Sequence, residues 1–364
     1  MEYHTEGNNK TYYIDEDFAV IGAGREGKVY KIDDNLAAKI LRDDVSDDLR
    51  RLKARKVTLM INLGKGQDIS YLAWPKEKLY DENDRFVGFT MPHINGDMLG
   101  RISIDPNLSW RKKIFLAKKL SQAVCEFHEM GHIIGSGLNF YDVMYDDNNG
   151  HLTLIDCDSF QIAIDDKTAY PSGVRGDDEY VAPEQQKHHK DKFCVYTKES
   201  DDFTLAIIIY QLLSSGFHPF MAHYTRDDGG ETKYNRKNNI NNGICPICPE
   251  TCKDPVTGKD LPVGIIKHFS VYPNEIFPPN ICELFRKTFV ESYIVSDKGI
   301  RIAPKNRATA KEWFNALSDV INNLKKCDKN QMHYYHNDFE KCPLCLNEER
   351  KTEGDLNEMS HKRQ

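Results

Sequence analysis

The chain has 364 residues, of which 49 are Lys or Arg and 56 are Asp or Glu, so its formal charge is −7 at pH 7. A chain of this length can bury a sizeable core in one or two domains, and its acidity argues against a general nucleic-acid binder. No apolar run approaches the roughly 18 residues that span a membrane, and residues 1–6 lack the basic and then apolar pattern of a signal peptide. We therefore expect a cytoplasmic protein whose ten Cys are thiols or metal ligands.

The first hundred residues are predicted to be mainly β-structure. Residues 1–11 are polar and are expected to form a flexible lead. One helix is predicted over 47–63, because Ser46 is a good N-cap and Asp47 and Asp48 lie at its positive end. The apolar runs that predict strands are 18–22, 28–32, 36–41 and 86–91.

After residue 100 the apolar residues recur at helical spacing. A short strand is predicted at 151–155, a buried helix at 203–213 and an amphipathic helix at 310–324. Residues 226–262 are polar and contain three Cys, which indicates a long insertion. The charged tail 349–364 is predicted to be disordered.

A glycine-rich turn and a lysine follow each other closely near the N-terminus. Gly22, Gly24, Gly27 and Val29 fit the pattern G-x-G-x-x-G-x-V. A strand rather than a helix is predicted next, and this context favours a glycine flap whose backbone N–H groups approach nucleotide phosphates. Ala37-Ala38-Lys39 resembles V-A-I-K, which places an ammonium against the α- and β-phosphates. A lone strand lysine is more often solvated, but the short spacing to the loop favours the phosphate role.

Further motifs follow in the order found in protein kinases. Met91-Pro92-His93-Ile94 resembles the hinge, where the Pro92 C=O and the Ile94 N–H would hold adenine. Ile155-Asp156-Cys157-Asp158 stands where D-F-G is expected, and Ala182-Pro183-Glu184 resembles A-P-E.

Two later residues complete this order. Asp201 opens the buried helix, as in kinases, and Arg307 resembles the late arginine that pairs with the A-P-E glutamate. The resemblance covers residues 15–325 and implies an α+β, two-lobed protein kinase-like fold. It predicts a β-rich N-lobe at 12–94 and a helical C-lobe at 95–325.

A narrower resemblance concerns bacterial kinases of the tellurite-resistance operon type. It rests on Gly131-His-Ile-Ile-Gly135, on Leu138-Asn139 and on Asp158-Ser-Phe-Gln161, because the metal-binding segment of those kinases reads D-x-D-S-F-Q. The resemblance implies ATP and Mg²⁺ as cofactors and Ser/Thr hydroxyls of a protein as substrate, in a bacterial stress or signalling system. It also implies two operon-encoded partners, a metal-dependent phosphatase and a von Willebrand A-domain protein.

The catalytic loop departs from the kinase pattern. Alignment on Leu138 puts Gly137 where the catalytic Asp is expected and Asp142 where a metal-binding Asn is expected. Asp142 and Asp156 are then predicted to hold Mg²⁺. A glycine cannot accept the proton of the substrate hydroxyl. Two hypotheses follow: a kinase with Asp158 as the nearest substitute catalytic residue, or a pseudokinase that serves as a nucleotide-sensing scaffold.

The helix at 47–63 departs as well. Kinases place a Glu in the middle of this helix to hold the strand lysine, whereas here basic residues fill the body of the helix. Either the helix is positioned unusually or Lys39 pairs with Asp156 instead. The basic stripe is expected to be a solvated face, with a docking surface for an acidic partner as the alternative. Its residues are Arg50, Arg51, Lys53, Arg55 and Lys56.

The Cys residues predict zinc. Cys327, His333, Cys342 and Cys345 have the types and spacing of a Cys₃His knuckle at 326–348, with His336 competing for the fourth place. Cys245, Cys248 and Cys252 predict a second zinc site. Its fourth ligand is left open among Cys194, His223, His268 and Cys282. A zinc-dependent nucleic-acid-binding module is a third hypothesis, which the overall acidity disfavours.

Overall fold

The computed structural model describes residues 1–15, 19–65, 69–165, 167–172, 178–186, 194–224, 235–248, 263–265, 273–296, 299–346 and 348–349. The chain divides into two compact units. The first comprises residues 1–99, 131–137 and 141–173, and the second comprises 100–130, 138–140 and 174–364. The mixed α and β content is consistent with the predicted kinase-like fold, and the lobe and knuckle boundaries stay predictions. No helix within the described part of the chain is long and apolar enough to cross a membrane.

The first unit is built on a seven-stranded antiparallel sheet with the strand order β2-β1-β6-β7-β5-β4-β3. The strands are β1 (Glu2–Thr5), β2 (Thr11–Tyr13), β3 (Val20–Ala23), β4 (Gly27–Lys31), β5 (Leu36–Leu41), β6 (Glu77–Tyr80) and β7 (Phe86–Pro92).

The N-terminal lead is a correction to the sequence prediction. Residues 2–5 form β1, which pairs with both β2 and β6, so this segment belongs to the sheet. Tyr3 and Thr5 are buried at alternate positions, as expected of a strand with one face inward. The strand has only four residues, and its two outward positions are polar. This alternation is too short to be distinguished from the polar residues that follow it.

Strand β5 is buried on both faces, and this decides where Lys39 points. Ala38 and Ile40 pack into the apolar cluster on one face. Ala37 and Leu41 pack on the other face, in a cluster that includes Val57 of the helix α1 (Asp47–Leu63). Because side chains alternate along a strand, Lys39 points to the face that carries α1.

Helix α1 has the predicted bounds, and the Ser46 hydroxyl caps it by accepting from the Leu49 amide at 3.4 Å. The predicted solvated basic stripe is wrong in part, because Arg50, Lys53 and Lys56 are buried. Their spacing of three residues puts them on one face of the helix, which is the face that packs on the unit. The other two basic residues of the stripe, Arg51 and Arg55, are exposed as predicted.

The remainder of the first unit consists of short elements. A three-stranded sheet has the order β10-β9-β8, and β11 and β12 form a hairpin. The elements are β8 (Asp97–Met98), β9 (Val143–Asp146), β10 (His151–Leu154), β11 (Ile162–Ala163) and β12 (Ala169–Tyr170). Helix α2 (Leu99–Ser103) begins at the last residue of the first segment, and its other residues belong to the second unit.

The second unit is mainly helical, and its core includes the aromatic side chains of Phe203, Phe285, Phe289 and Trp313. Its helices are α3 (Trp110–Glu129), α4 (Lys198–Leu213), α5 (Arg236–Asn242), α6 (Pro273–Ile276), α7 (Pro279–Phe289) and α8 (Ala310–Asn322). Its strands are β13 (Ala222–Tyr224), β14 (Val263–Ile265), β15 (Tyr293–Ser296), β16 (Gly299–Ile302), β17 (Leu324–Lys326) and β18 (Tyr334–His336).

Two helix ends differ from the prediction for local reasons. Helix α4 begins five residues before Phe203, because Thr197 and Ser200 form a capping box that starts it at Lys198. Helix α8 ends at Asn322 rather than Leu324, because Leu324 already belongs to β17.

Candidate active site

The glycine turn joins β3 and β4 in the first unit. Within it, the amide of Gly24 donates to the carbonyl of Gly27 at 2.8 Å. Gly27 is required by packing, since a Cβ there would lie 2.3 Å from the carbonyl oxygen of Ile40 on β5. Gly22 has ordinary room, with Val29 as the nearest side chain at 3.7 Å. The pattern therefore contains one glycine that the sheet itself needs.

Lys39 is buried and makes two short ion pairs with carboxylates from the segment that follows β10. Its ammonium lies 2.5 Å from Oδ1 of Asp156 and 2.6 Å from Oδ1 of Asp158. Burial lowers the pKa of Lys39, but the two carboxylates outweigh this effect and raise it. Lys39 is thus held as a charged ammonium, and the predicted pairing with Asp156 is confirmed.

Asp158 is buried and uses both carboxylate oxygens. Oδ1 pairs with Lys39, and Oδ2 pairs with Lys53 of α1 at 2.8 Å. Burial raises the pKa of Asp158, but the two ammonium groups outweigh burial and hold that pKa well below its usual range. A general base must reach the proton that it accepts. A buried carboxylate with both oxygens engaged is badly placed for this task, so the geometry disfavours Asp158 as the substitute catalytic residue.

Lys53 connects three parts of the first unit. Besides Asp158 it contacts Glu26, a residue of the glycine turn, at 2.6 Å. A single ammonium on α1 therefore ties the helix both to the glycine turn and to the segment after β10.

Lys56 lies one helical turn further along α1 and binds backbone rather than side chains. Its ammonium donates to the carbonyl oxygens of Asp158 at 2.8 Å, of Pro171 at 3.0 Å and of Phe160. Burial and the neighbouring Lys53 lower the pKa of Lys56 to about 7. The three carbonyl groups match the three N–H donors of a protonated lysine.

Asp156 and Asp142, the predicted Mg²⁺ ligands, are close in the backbone. The amide of Ile155 donates to the carbonyl of Asp142 at 2.9 Å, so Asp142 lies beside the residue that precedes Asp156. Asp156 adopts a left-handed backbone conformation with φ of 58°, which is uncommon for a residue other than glycine. Its side chain is 41% exposed, unlike that of Asp158. Asp142 is half-buried, and carboxylate oxygens are the ligand type that Mg²⁺ prefers.

The predicted hinge lies at the end of β7. Met91 is buried opposite Ala37, and Pro92 lies opposite Leu36 in the ladder with β5. Ile94 follows outside the strand and is half-buried. The structure thus places Ala37 and the hinge strand next to each other in the same unit as Lys39.

Gly137, the position of the expected catalytic Asp, is buried in a tight turn that spans Gly135–Gly137. A Cβ on Gly137 would lie 2.5 Å from Oγ of Ser159 and 2.7 Å from the ring of Phe160. The space beside Gly137 is therefore already filled by side chains of the segment that follows β10.

The knuckle residues of the second unit come together as predicted. The ligand atoms of Cys327, His333, Cys342 and Cys345 all lie within 4.8 Å of one another, and Sγ of Cys327 and Sγ of Cys345 are 3.5 Å apart. Three thiols and one imidazole at such distances fit the tetrahedral coordination of Zn²⁺. This Cys₃His cluster is therefore a candidate metal site.

The competition between the two histidines is decided by geometry. Nδ1 of His333 faces the thiols of Cys345 at 3.3 Å and Cys342 at 3.7 Å, while its Nε2 lies 3.1 Å from Oε1 of Glu348. A carboxylate on the second ring nitrogen is the usual support of a metal-binding histidine. His336 is buried elsewhere, with its Nδ1 3.2 Å from Asp338.

The second predicted zinc site is described in part. Cys245 and Cys248 are buried, and the Cys245 thiol donates to the carbonyl of Pro219 at 3.4 Å. Cys252 and His268 lie outside the described residues, as does the side chain of His223. Among the described side chains, neither cysteine belongs to a group of three potential ligands, so this site stays a prediction.

The sequence interpretation missed the part played by Glu26, Lys53 and Lys56. A signal was present, since Arg50, Lys53 and Lys56 occupy the helical positions where Val57 and Met60 continue the buried face. Three cations on the face that should be apolar predict buried carboxylate or carbonyl partners.

Comparison with known proteins supports the kinase resemblance at a distance. The chain is 27% identical over 337 residues to a protein named protein kinase YegI from Escherichia coli strain K12, which covers 89% of this chain and 47% of that protein. The homologue of the same name from E. coli O157:H7 is also 27% identical over 337 residues, covering 89% and 48%. The chain spans about half the length of these curated relatives. No family model matches the chain. This distant homology supports a bacterial kinase-like family.

Proposed function

We propose that the protein binds ATP with Mg²⁺ and transfers phosphate to Ser/Thr hydroxyls of a protein. The observation that carries the proposal is the ion pair of the buried Lys39 with Asp156, in the same unit as the glycine turn. Phosphoryl transfer depends mainly on positioning and on electrostatic stabilisation of the phosphates, and a fixed ammonium beside a partly exposed carboxylate supplies both.

Each residue then has a stated role. Backbone groups of Gly22, Gly24 and Gly27 cover the phosphates, and Lys39 contacts them. The Pro92 C=O and the Ile94 N–H hold adenine, with Val29, Ala37 and Met91 near the base.

Asp156 and Asp142 would hold Mg²⁺, which neutralises charge on the phosphates when bound. In the second unit, Zn²⁺ is proposed to be held as a structural element by Cys327, His333, Cys342 and Cys345. A second Zn²⁺ is proposed at Cys245, Cys248 and Cys252.

A second candidate is a pseudokinase that senses nucleotide as a scaffold. It is favoured by the filled space at Gly137, where Ser159 and Phe160 leave no room for a catalytic carboxylate. Loss of a general base typically lowers the rate about 10²–10⁴-fold. A slow kinase would therefore retain a small rate of phosphate transfer, whereas a pseudokinase would have none.

Two measurements test the proposal. ATP with Mg²⁺ should raise the melting temperature of the wild type, and Lys39→Met should abolish the rise. The matched control is Lys31→Met on the neighbouring strand, where Lys31 pairs with the exposed Asp34. The absence of any shift in the wild type would refute both candidates.

Labelled ATP then separates the candidates. Incorporation of label by the wild type, but not by Asp156→Asn, supports the kinase. A nucleotide-dependent shift without incorporation supports the scaffold.

The remaining proposals concern cellular context. The operon-encoded phosphatase and von Willebrand A-domain protein are proposed partners on the strength of the sequence resemblance, and a cytoplasmic location is proposed because ATP is the expected substrate. The proposed partners are tested by co-purification with the tagged chain. Excess untagged chain should displace a specific partner from the tagged chain.

A further inference from the structure

The support of Lys39 comes from an unusual direction. The body of α1 contains no carboxylate, since its acidic residues are Asp47 and Asp48 at the start. Asp158 of the segment after β10 takes the place next to Lys39, and α1 contributes Lys53 to the other oxygen of the same carboxylate.

Two buried ammonium groups of this cluster are matched by carboxylates. Lys39 pairs with Asp156 and Asp158, and Lys53 pairs with Asp158 and Glu26. Both lysines are buried, and a buried charge is tolerated only when it is paired and hydrogen-bonded. The cluster is therefore a built arrangement rather than a set of surface contacts.

We infer that Asp158 is the positioning residue for Lys39 and that Lys53 orients Asp158 from α1. In the usual kinase pair, the strand supplies the lysine and the helix supplies the carboxylate. Here the segment after β10 supplies the carboxylate, and the helix supplies a second lysine. This inference rests on the proposed nucleotide role of Lys39. The inference goes beyond that role by making Lys53 a positioning residue that connects Asp158 to Glu26 of the glycine turn.

Lys56 extends the same coupling along the chain. By donating to the carbonyls of Asp158, Phe160 and Pro171, it fixes both ends of the segment that carries β11 and β12 to α1. A displacement of α1 would therefore carry Asp158 away from Lys39 together with that segment.

The test moves the negative charge from the segment to the helix. Asp158→Asn and Lys53→Glu are each expected to weaken ATP binding about tenfold or more, because each removes two charge-assisted contacts of the cluster. The triple variant Asp158→Asn/Lys53→Glu/Glu26→Gln returns a carboxylate to the cluster from α1 and removes the like-charge contact with Glu26. It is expected to bind ATP within about threefold of the wild type. Arg55→Glu makes the same charge change on the exposed face of the helix and should leave ATP binding unchanged.

A second measurement reads Lys39 without nucleotide. Labelling by an amine-reactive ester, quantified by mass spectrometry, should be slow at Lys39 in the wild type and faster in Asp158→Asn by about tenfold for each unit by which the pKa of Lys39 falls. Circular dichroism and thermal unfolding establish that each variant is folded. If Asp158→Asn does not fold, Lys53→Met against Arg55→Met repeats the ATP-binding comparison with a smaller change.

The outcomes separate the two proposals. Unchanged Lys39 labelling in Asp158→Asn, or a triple variant that binds ATP no better than the single variants, overturns the positioning role. If Lys39 is labelled faster in Asp158→Asn than in the wild type but the wild type binds no ATP, the proposed function is refuted. Asp158 is then still established as the group that controls Lys39.

Discussion

Arg307 and Glu184 form a two-pronged ion pair inside the second unit, although 123 residues separate them along the chain. Nη1 of Arg307 donates to Oε1 of Glu184 at 2.7 Å, and Nη2 donates to Oε2 at 2.6 Å. Arg307 also donates to the carbonyl of Glu199 and lies 4.9 Å from the ring centroid of Phe203. The pairing predicted from the A-P-E resemblance is confirmed, and its role is structural.

Arg307→Met should destabilise the second unit strongly. The Arg307 side chain is fully buried, and removal of one partner of a buried ion pair typically costs about 3–5 kcal/mol. The free energy of unfolding from urea titration measures the loss. Arg286→Met breaks an exposed pair with Glu291 and should cost at most about 1 kcal/mol. Equal losses in the two variants would contradict the structural role.

Gly137→Ala should also destabilise the protein, because its Cβ would overlap Ser159 and the buried ring of Phe160. Overpacking of this kind typically costs about 1–3 kcal/mol. Gly22→Ala is the matched control, since its nearest neighbour is 3.7 Å away. We expect Gly137→Asp to lose stability in the same way, without a gain in label incorporation. A stable Gly137→Asp variant with increased incorporation would show that the surroundings of Gly137 can still accept a catalytic carboxylate.

Zinc content should depend on His333 and not on His336. Elemental analysis of Cys342→Ser and His333→Asn should show one zinc per chain fewer than the wild type, because each loses a ligand of the Cys₃His cluster. His336→Asn should retain the wild-type content. A further decrease in Cys248→Ser would support the second site. Equal zinc in the wild type and Cys342→Ser would contradict the knuckle.

Stability should fall as pH rises from about 4 to 7 because of Asp202. Burial raises the pKa of this carboxyl to about 7, against 3.8 for an exposed group, although His128 and the Ala310 amide act in the opposite direction. The folded chain then binds more protons than the unfolded chain in that window, so raising the pH favours unfolding. The full effect is a few kcal/mol at most, since one pKa unit corresponds to about 1.4 kcal/mol.

Asp202→Asn should remove this pH dependence while keeping an oxygen that accepts from the Ala310 amide at 2.9 Å in the wild type. Urea unfolding at pH 5 and pH 8 measures the difference. Glu340→Gln, at an exposed position, serves as control. A wild-type slope that persists in Asp202→Asn would assign it to another group.

The elements that local rules specify were predicted well. The Ser46 cap and the two acids after it marked the start of α1, and the helical spacing of Val57 and Met60 ran to its end. The apolar run Leu36–Leu41 predicts a strand with the same bounds as β5. Helix caps and runs of apolar residues depend on residues that are close in the sequence, so the sequence alone predicts them. The start of α4 was missed because the capping box of Thr197 and Ser200 lies in a polar stretch before the apolar run.

Sequence by itself determined the order of the kinase-like motifs, the glycine turn beside Lys39 and the Cys₃His ligand set, because each is a matter of residue type and short spacing. Tertiary structure decided which carboxylates hold Lys39, that Lys53 and Lys56 are buried, and that the space at Gly137 is filled. Lys39 and Asp158 are 119 residues apart, and Lys53 and Asp158 are 105 apart. Contacts at such separations arise only when β5, α1 and the segment after β10 pack together, and no local pattern encodes them.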